Sequence, residues 1–287
     1  MSKKTIVITG CSSGFGRVSA LEMAKRGWHV FATVRKEADQ ADLIAEAARL
    51  GCKENLTPLL CDITQTEQVA ALAQAVKEQL TAMQASSLDA LLNNAGTATG
   101  GPIELVSLDD MRALFEINVI AHVDVIQHFL PLLKEARGTI VNVSSVSGRI
   151  ATPVTGVYAA SKFALEAISD ALRVELAPFG VHVVLIEPSS SPTNIWKTSI
   201  QRAIQHMEPH RDGPYGPLLN LAERTAARSS KQGFPPQLFA DTLVRILDSR
   251  QPRPRYIVPR DAVLPVLLRR FLPDRLWDRM VRRTMKW

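Results

Sequence analysis

Short apolar segments rich in β-branched residues alternate with longer amphipathic segments along most of the chain. The apolar segments predict strands at residues 5–9, 28–34, 56–61, 88–92, 138–143, 181–186 and 255–258. The amphipathic segments predict helices at residues 15–26, 41–50, 64–83, 108–135 and 157–176. This alternation predicts one α/β domain in which helices cover both faces of a doubly wound parallel sheet.

Two of the predicted helices carry further signals. Thr64 is the expected N-cap of the third helix, and Glu67 three residues later would complete a capping box. Pro131 lies inside the fourth helix and is expected to interrupt or shift it.

Residues 189–235 break the regular pattern with five prolines and three glycines. A segment this long without strand signals is typical of a lid over a binding site, and an irregular surface excursion is the alternative. We expect a core domain over residues 1–258, with 189–235 as its lid, followed by a C-terminal extension over residues 259–287.

The net charge of +6 is concentrated at the C-terminus. Residues 252–287 contain ten Arg or Lys against three Asp, a net of +7, which leaves −1 for the rest of the chain. A body that is nearly neutral argues against nucleic-acid binding.

The three cysteines, Cys11, Cys52 and Cys61, show neither a metal-binding spacing nor an even number for disulfides. We therefore expect reduced thiols, a cytoplasmic location and no metal site. The first apolar run is too short for a signal peptide, and no run approaches the 18 residues or so of a spanning helix.

Residues 273–287 place apolar side chains, Trp277 among them, at helical spacing with arginines on the other side. A basic amphipathic helix of this kind fits peripheral contact with an anionic membrane. Packing over a substrate cleft or in an oligomer interface is an alternative. Docking of an acidic carrier protein is another.

A glycine-rich loop, Thr9-Gly-Cys-Ser-Ser-Gly-Phe-Gly16, follows the first predicted strand. Small residues at this place let main-chain N–H groups approach a pyrophosphate, and the following helix adds a favourable field. The second strand ends with Val34, followed by Arg35 and Lys36, where an acidic residue would bind a ribose 2′-hydroxyl. Two cations there favour a 2′-phosphate, and hence NADP(H) over NAD(H), unless Arg35 merely opens a solvated turn.

Tyr158 and Lys162 lie one helical turn apart, and Ser145 and Asn118 precede Tyr158 by 13 and 40 residues. An ammonium fixed beside a phenol is expected to lower the phenol pKa from its usual value near 10. A tyrosine so placed can act as a general acid or base toward a carbonyl or an alcohol.

The order and spacing of these motifs resemble the classical short-chain dehydrogenases/reductases, from about residue 4 to about residue 193. The glycine loop, Asn93-Asn-Ala-Gly96 and the Tyr158/Lys162 pair carry the resemblance, together with Asp62, Asn118, Ser144-Ser145 and Pro188 with Thr193. The segments 30–35, 111–118, 169–176 and 186–188 further resemble the hydroxysteroid and retinol dehydrogenase branch. Ser189 departs from the family, which usually has glycine after this proline.

The resemblance implies a Rossmann-type seven-stranded sheet of order 3-2-1-4-5-6-7, with the active site at the carboxyl ends of the strands. It implies that Tyr158 exchanges the proton and that Lys162 lowers its pKa and binds the nicotinamide ribose. It implies that Ser145 holds the substrate oxygen, and that Asn118 bends its helix and holds a water near Lys162. The implied cofactor-binding residues are Gly10, Ser12, Ser13, Gly14, Phe15, Gly16, Arg35, Lys36, Asp62, Ile63, Asn94, Ala95, Gly96, Tyr158, Lys162, Pro188, Ser189 and Thr193.

The expected function is an NADP(H)-dependent oxidoreductase that interconverts a secondary alcohol and a ketone or aldehyde, on a lipophilic substrate such as a steroid or retinoid. Apolar residues that would line its pocket, or else pack the lid onto the body, are Ile150, Val154, Ile195, Trp196, Ile200, Leu218, Leu219 and Phe234. A reductase of 3-oxoacyl groups bound to a carrier or to coenzyme A is an alternative, and a non-catalytic dinucleotide sensor is a remote one. The family implies a homodimer or homotetramer through the helices near 108–135 and 157–176.

Overall fold

A computed structural model describes residues 3–192, 207–229 and 233–285, and the structure below is that of these residues. Seven strands form one sheet. They are β1 (Thr5–Ile8), β2 (His29–Val34), β3 (Leu56–Leu60), β4 (Ala90–Asn93), β5 (Thr139–Val143), β6 (His182–Pro188) and β7 (Arg255–Val258). Every neighbouring pair is parallel, and the order is β3-β2-β1-β4-β5-β6-β7, which confirms the predicted doubly wound Rossmann-type fold.

The helices lie between and after the strands. They are α1 (Gly14–Lys25), α2 (Glu37–Arg49), α3 (Thr66–Ala82), α4 (Leu108–Phe115), α5 (Ala121–Ala136), α6 (Gly156–Glu175), α7 (Gly216–Ser229), α8 (Pro236–Leu247), α9 (Val263–Phe271) and α10 (Asp274–Met285). The predicted helices and strands differ from these bounds by at most four residues at either end. Helices α7, α8 and α9 were not predicted, although the apolar residues of α8 recur at helical spacing.

The sheet has an apolar core on each face because successive side chains of a buried strand point in opposite directions. In β1, Ile6 and Ile8 join the core under α1 and α8, whereas Val7 joins the core under α3 and α5. Phe239 of α8 and Phe129 of α5 are fully buried on these two faces. Both faces of the central strands are therefore dry, which explains their continuous apolar sequences.

The predicted N-cap of α3 is wrong. The helix begins at Thr66 with Gln65 at the N-cap, and no side chain caps it. The Asp62 carboxylate accepts hydrogen bonds from the main-chain N–H and the hydroxyl of Thr64, at 3.1 and 2.8 Å. Because this local turn uses the Thr64 hydroxyl, the capping box with Glu67 does not form.

The predicted interruption of the long helix near Pro131 is also wrong. Helices α4 and α5 are continuous through a π-helical segment, Glu116–Ile120, and Pro131 lies inside α5. Pro131 and Gln127, whose carbonyl lacks its usual helical donor, are both exposed, so water can satisfy that carbonyl. The deviation in the helix therefore lies around Asn118 instead.

The continuous helix over residues 108–136 is long and apolar enough to cross a membrane by length and composition. Its buried residues, Val125, Phe129 and Leu133 among them, pack in the core beneath α3 and the sheet. A core helix passes the same test, so this is weak evidence for a membrane span.

Candidate active site

The predicted site residues meet at one edge of the sheet. Gly10 follows β1, Asn93 ends β4, Ser144 follows β5 and Pro188 ends β6. Because all the strands are parallel, their carboxyl ends open into the same crevice, where this topology places its ligands.

The glycine loop is closely packed against the turn after β4. Gly10 has φ +72°, and a Cβ atom there would lie 2.8 Å from the Cα atom of Ala95. A Cβ atom on Gly16 would lie 2.3 Å from the Gly10 carbonyl oxygen. Ser13 is the N-cap of α1, but its side chain makes no capping hydrogen bond, so first-turn N–H groups remain available to an anion. This loop therefore fits the pyrophosphate of a dinucleotide.

Phe15 holds the loop onto the body of the protein. Its ring stacks on Phe239 of α8 and on Phe234, with centroid distances of 4.4 and 5.6 Å. Phe234 is buried in the core beside α1 and α8. Of the two interpretations left open for Phe234, the structure supports packing rather than a pocket wall.

The turn after β4 is held by Thr9. The Thr9 hydroxyl accepts hydrogen bonds from the main-chain N–H groups of Asn94 and Ala95, at 2.9 and 3.0 Å. The Asn94 side chain donates to the carbonyls of Thr9 and Gly10, at 2.8 and 3.1 Å. Asn94 thus joins the glycine loop to this turn through its side-chain amide.

Asn118 lies in the π-helical segment and is fully buried. Its side-chain oxygen accepts from the Thr97 N–H, and its amide donates to the Thr97 carbonyl, both at 2.9 Å. The amide also donates to the Ser161 hydroxyl at 3.1 Å. Asn118 therefore connects α6 to the turn after β4, in the part of the helix that departs from α geometry.

His122, which the sequence analysis missed, supports the same turn. It is fully buried, and its Nε2 donates to the Ala95 carbonyl at 2.6 Å. Burial, together with the charge of Lys162, lowers the pKa of His122 to about 3, so the ring is neutral. It lies one turn after Asn118, and only the fold brings it to the Ala95 carbonyl.

Tyr158 and Lys162 are both buried on α6. Burial raises the pKa of Tyr158 to about 12, and a hydrogen bond with Ser145 offsets this only in part. The Lys162 ammonium donates to the Val143 carbonyl at 2.9 Å and lies 5.9 Å from the Tyr158 ring centroid. The phenol pKa is therefore raised in this arrangement, contrary to the expected lowering, because desolvation outweighs the hydrogen bond from Ser145. Burial also lowers the pKa of Lys162, to about 8, against the raising effect of Glu166.

Ser145, rather than Ser144, is the serine that is bonded to Tyr158. The Ser145 hydroxyl accepts from the Ser147 N–H at 3.1 Å and donates to the Pro188 carbonyl at 3.3 Å. The Ser144 hydroxyl is buried and has no partner among the described residues. The 13-residue spacing to Tyr158 thus selected the serine that the structure places beside the phenol.

The residues expected around the adenosine half of a dinucleotide differ in their exposure and in whether their side chains are already bonded. Arg35 and Lys36 are exposed after β2, and neither has an acidic partner within 4.0 Å among the residues described. The Asp62 carboxylate is bonded to Thr64, and the Ile63 side chain is buried in the core. Ile63 could therefore contact a ligand only through its main chain.

The segments expected to wall the substrate pocket are described in part. Val154 has φ +73°, which is strained for a β-branched residue, and its carbonyl accepts from the Gly101 N–H at 2.7 Å. This bond holds segment 97–102 against segment 148–157. Leu219 is buried against Met207. The Ser189 N–H donates to the Val258 carbonyl at 2.8 Å. Four predicted residues lie outside the described residues: Thr193, Ile195, Trp196 and Ile200.

Comparisons with known proteins agree with this geometry. The sequence profile described as short chain dehydrogenase matches residues 4–203. The chain is 33% identical to the NADPH-dependent 3-dehydrocapnine reductase of Ornithobacterium rhinotracheale, over 98% of this chain and 96% of that protein. It is 36% identical to retinol dehydrogenase 5 of Mus musculus, over 95% and 86%. A short-chain dehydrogenase/reductase from Burkholderia phymatum, solved in complex with NAD, has a TM-score of 0.80 at 25% identity and covers 94% of this chain and 93% of its own.

These matches cover most of the chain and include the glycine loop, the serine, the tyrosine and the lysine at the crevice. They confirm the resemblance found in the sequence. The chain belongs to the short-chain dehydrogenase/reductase family of dinucleotide-dependent oxidoreductases and, within it, resembles the retinol dehydrogenase branch.

Proposed function

We propose that this chain is an NADP(H)-dependent oxidoreductase that interconverts a secondary alcohol and a ketone or aldehyde. The observation that carries the proposal is the buried Tyr158 phenol, bonded to Ser145 and close to the Lys162 ammonium. These groups lie beside a glycine loop that fits a pyrophosphate. A proton donor, an oxygen-binding hydroxyl and a dinucleotide cradle in one crevice match a carbonyl reductase.

In reduction, the nicotinamide supplies the hydride and the chain supplies the proton and its control. Tyr158 donates its proton to the carbonyl oxygen, and the raised pKa, about 12, keeps the phenol protonated beforehand. Ser145 turns its hydroxyl from the Pro188 carbonyl to the substrate oxygen. Lys162 stabilises the phenolate that remains, because its ammonium is fixed nearby by Val143. At neutral pH the phenol of the free protein is therefore protonated, as the reduction step requires.

Arg35 and Lys36 support the choice of NADP(H). Both are exposed at the end of β2, and an Arg can hold a phosphate by paired hydrogen bonds. The buried Val34 stands where an acidic residue would repel that phosphate. The name of the 3-dehydrocapnine reductase states NADPH dependence, whereas the Burkholderia structure contains NAD. The choice of NADP(H) therefore depends on Arg35 and Lys36 of this chain rather than on its relatives.

The proposed substrate is lipophilic, such as a steroid or retinoid. Several relatives are named as retinol dehydrogenases, and Leu218 and Leu219 contribute buried apolar surface in the lid region.

The C-terminal helices support contact with an anionic membrane surface. Six of the large apolar side chains exposed in the described structure belong to α9 and α10: Leu264, Leu267, Leu268, Phe271, Leu276 and Met280. Exposed arginines accompany them on the same two helices. Trp277, expected on the exposed apolar face, is instead buried, and the Arg269 guanidinium lies 5.5 Å from its ring centroid. An apolar surface flanked by arginines suits lipid headgroups above acyl chains.

Replacing Tyr158 with Phe is expected to lower NADPH-dependent carbonyl reduction by roughly 100- to 10,000-fold, because the proton donor is removed. NADPH binding, followed by tryptophan fluorescence, should persist. Full activity in Tyr158→Phe would contradict the mechanism. NADPH binding by the unaltered chain without turnover of any steroid, retinoid or 3-oxoacyl substrate would favour the sensor function.

The double substitution Arg35→Ala, Lys36→Ala is expected to raise the Kd for NADPH by roughly ten- to a hundredfold, since charge-assisted bonds to the 2′-phosphate are lost. The Kd for NADH should change little. The matched control is Arg49→Ala, Lys53→Ala, at the other end of α2. Equal effects on both cofactors, or tighter binding of NADH than NADPH by the unaltered chain, would overturn the assignment.

Carbonyl reduction is expected to decline as the pH rises through about 8, because Lys162 then loses its charge. Tyr158, with a pKa of about 12, remains protonated across this range and does not cause the decline. The measurement is kcat against pH at saturating NADPH. In Lys162→Arg the guanidinium keeps its charge, so any remaining turnover should lack the decline. An unchanged decline in that variant would exclude Lys162 as its source.

The double substitution Leu264→Ser, Phe271→Ser is expected to weaken sedimentation with phosphatidylserine vesicles by at least about tenfold, since two apolar side chains no longer enter the bilayer. Leu50→Ser, Leu60→Ser provides a control with two exposed leucines elsewhere. High salt should weaken binding of the unaltered chain. Equal binding by both doubles would contradict a membrane role for the tail.

A further inference from the structure

An arginine-lined cleft lies at the β7 edge of the sheet, away from the glycine loop. It is open, with a volume of about 780 Å³. Its basic residues are Arg149, Arg245, Arg253, Arg255 and Arg260, and Glu187 is its one acidic residue. Five like charges around one space repel one another unless anions neutralise them. This space and its lining residues form the cleft at the β7 edge.

Two of the five arginines are already paired with carboxylates. Arg149 pairs with Glu187 at 3.1 Å. Arg255 pairs with Glu166, Asp170 and Glu187, at 2.9, 2.7 and 3.2 Å. The two arginines share Glu187, which is fully buried.

The other three arginines have no acidic partner. Within the described ranges, no carboxylate oxygen lies within 4.0 Å of a side-chain nitrogen of Arg245, Arg253 or Arg260. Arg245 donates to the Thr242 hydroxyl and, weakly, to the Asp241 carbonyl. All three are exposed. They leave several guanidinium N–H groups directed to one open space.

Glu187 is only partly ionised at neutral pH, so it offsets only part of the positive charge of the cleft. It is fully buried, and its Oε2 atom has no partner among the described residues. Burial, reinforced by the neighbouring Glu166, raises its pKa to about 7 despite the two arginines. The cleft is therefore strongly positive at neutral pH.

The open edge of β7 contributes main-chain donors. The carbonyls of Pro254 and Val258 accept from Leu185 and Ser189 on the β6 side. Because alternate residues of a parallel strand bond to opposite neighbours, the N–H and C=O groups of Arg255 and Ile257 face outward. Edge strands attract further strands, but a second copy of this arginine-rich strand would be repelled. Charge therefore opposes self-pairing of this edge, and its outward N–H groups remain available to a ligand.

Apolar groups form the rest of the wall. Leu238 of α8, Ile257, Pro259 and Val263 line the same space. Its volume falls in the range of small-molecule sites, roughly 300–1,000 Å³. A ligand that contacts both the arginines and the apolar wall has an anionic group and an apolar chain.

We propose that the cleft is a second ligand site, distinct from the dinucleotide site, for a small amphipathic anion with a phosphate or carboxylate group on an apolar chain. Apart from Arg149, which lies in segment 148–157, none of its lining residues belongs to the residues or segments assigned above to the cofactor or the substrate. The unpaired arginines bind the anionic group, and the wall formed by Leu238 and Val263 receives the chain.

The test is isothermal titration calorimetry of the full chain with saturating NADPH, which occupies the dinucleotide site. The probes are inorganic phosphate, hexyl phosphate and the uncharged hexyl glucoside. Hexyl phosphate should bind more tightly than phosphate, and hexyl glucoside should show no binding. Arg245→Gln, Arg253→Gln, Arg260→Gln should weaken hexyl phosphate by at least about tenfold, because charge-assisted hydrogen bonds are lost.

The matched control is Arg49→Gln, Arg112→Gln, Arg137→Gln, which removes the same charge from surfaces outside the cleft. Equal weakening in both triples, equal binding of hexyl glucoside, or no binding by the unaltered chain would overturn the proposal. Loss of hexyl phosphate binding when NADPH is added would assign the anion to the dinucleotide site instead. Sedimentation velocity without ligand tests whether a second copy of the chain occupies the cleft instead. A dimer that the cleft triple abolishes, and the control triple keeps, would make the cleft an interface between copies.

Discussion

The main-chain groups of the turn after β4 bond to three fully buried side chains, and the geometry of the crevice depends on these bonds. The Thr9 hydroxyl accepts hydrogen bonds from two main-chain N–H groups of the turn. The Asn118 side chain bonds to the main-chain N–H and carbonyl of Thr97, and the His122 ring donates to the Ala95 carbonyl. A buried polar group without a partner costs about 1–3 kcal/mol, so each bond restricts the turn to one path. This turn also contacts Gly10, where a side chain would collide with Ala95. Cradle, turn and π-helical segment therefore form one connected unit.

Desolvation has opposite chemical effects on the two titratable groups of α6. It raises the pKa of the Tyr158 phenol and lowers that of the Lys162 ammonium, because in each case the neutral form is favoured. With pKa values of about 12 and about 8, the phenol is protonated and the lysine is charged at neutral pH. That state is the one from which a carbonyl can be protonated. Burial therefore shifts both pKa values toward the neutral forms without changing the dominant protonation state at neutral pH.

The sequence predicted features that depend on local pattern and missed those that depend on packing. The strand order followed from the resemblance to the family, and the meeting of Ser145 with Tyr158 followed from the 13-residue spacing between them. The start of α3 did not, because Asp62 captures the Thr64 hydroxyl through a turn that competes with a cap. The direction of the Tyr158 pKa shift depends on solvent exclusion, which a spacing of four residues does not encode. His122 was missed because a lone histidine in an apolar helix gives no pattern, and only the fold brings it to Ala95.

The structure divides the basic charge of the C-terminal region into two surfaces with different surroundings. Arg253 and Arg260 line the cleft at the edge of β7, whereas other arginines of the region lie on α9 and α10 among exposed apolar side chains. Val263 belongs to both surfaces, since it lines the cleft and begins α9. An amphipathic anion that reaches the exposed apolar helices therefore meets apolar surface at the mouth of the cleft. A positive field concentrated at this end, on a body with a net charge of −1, also favours the approach of anions from this side.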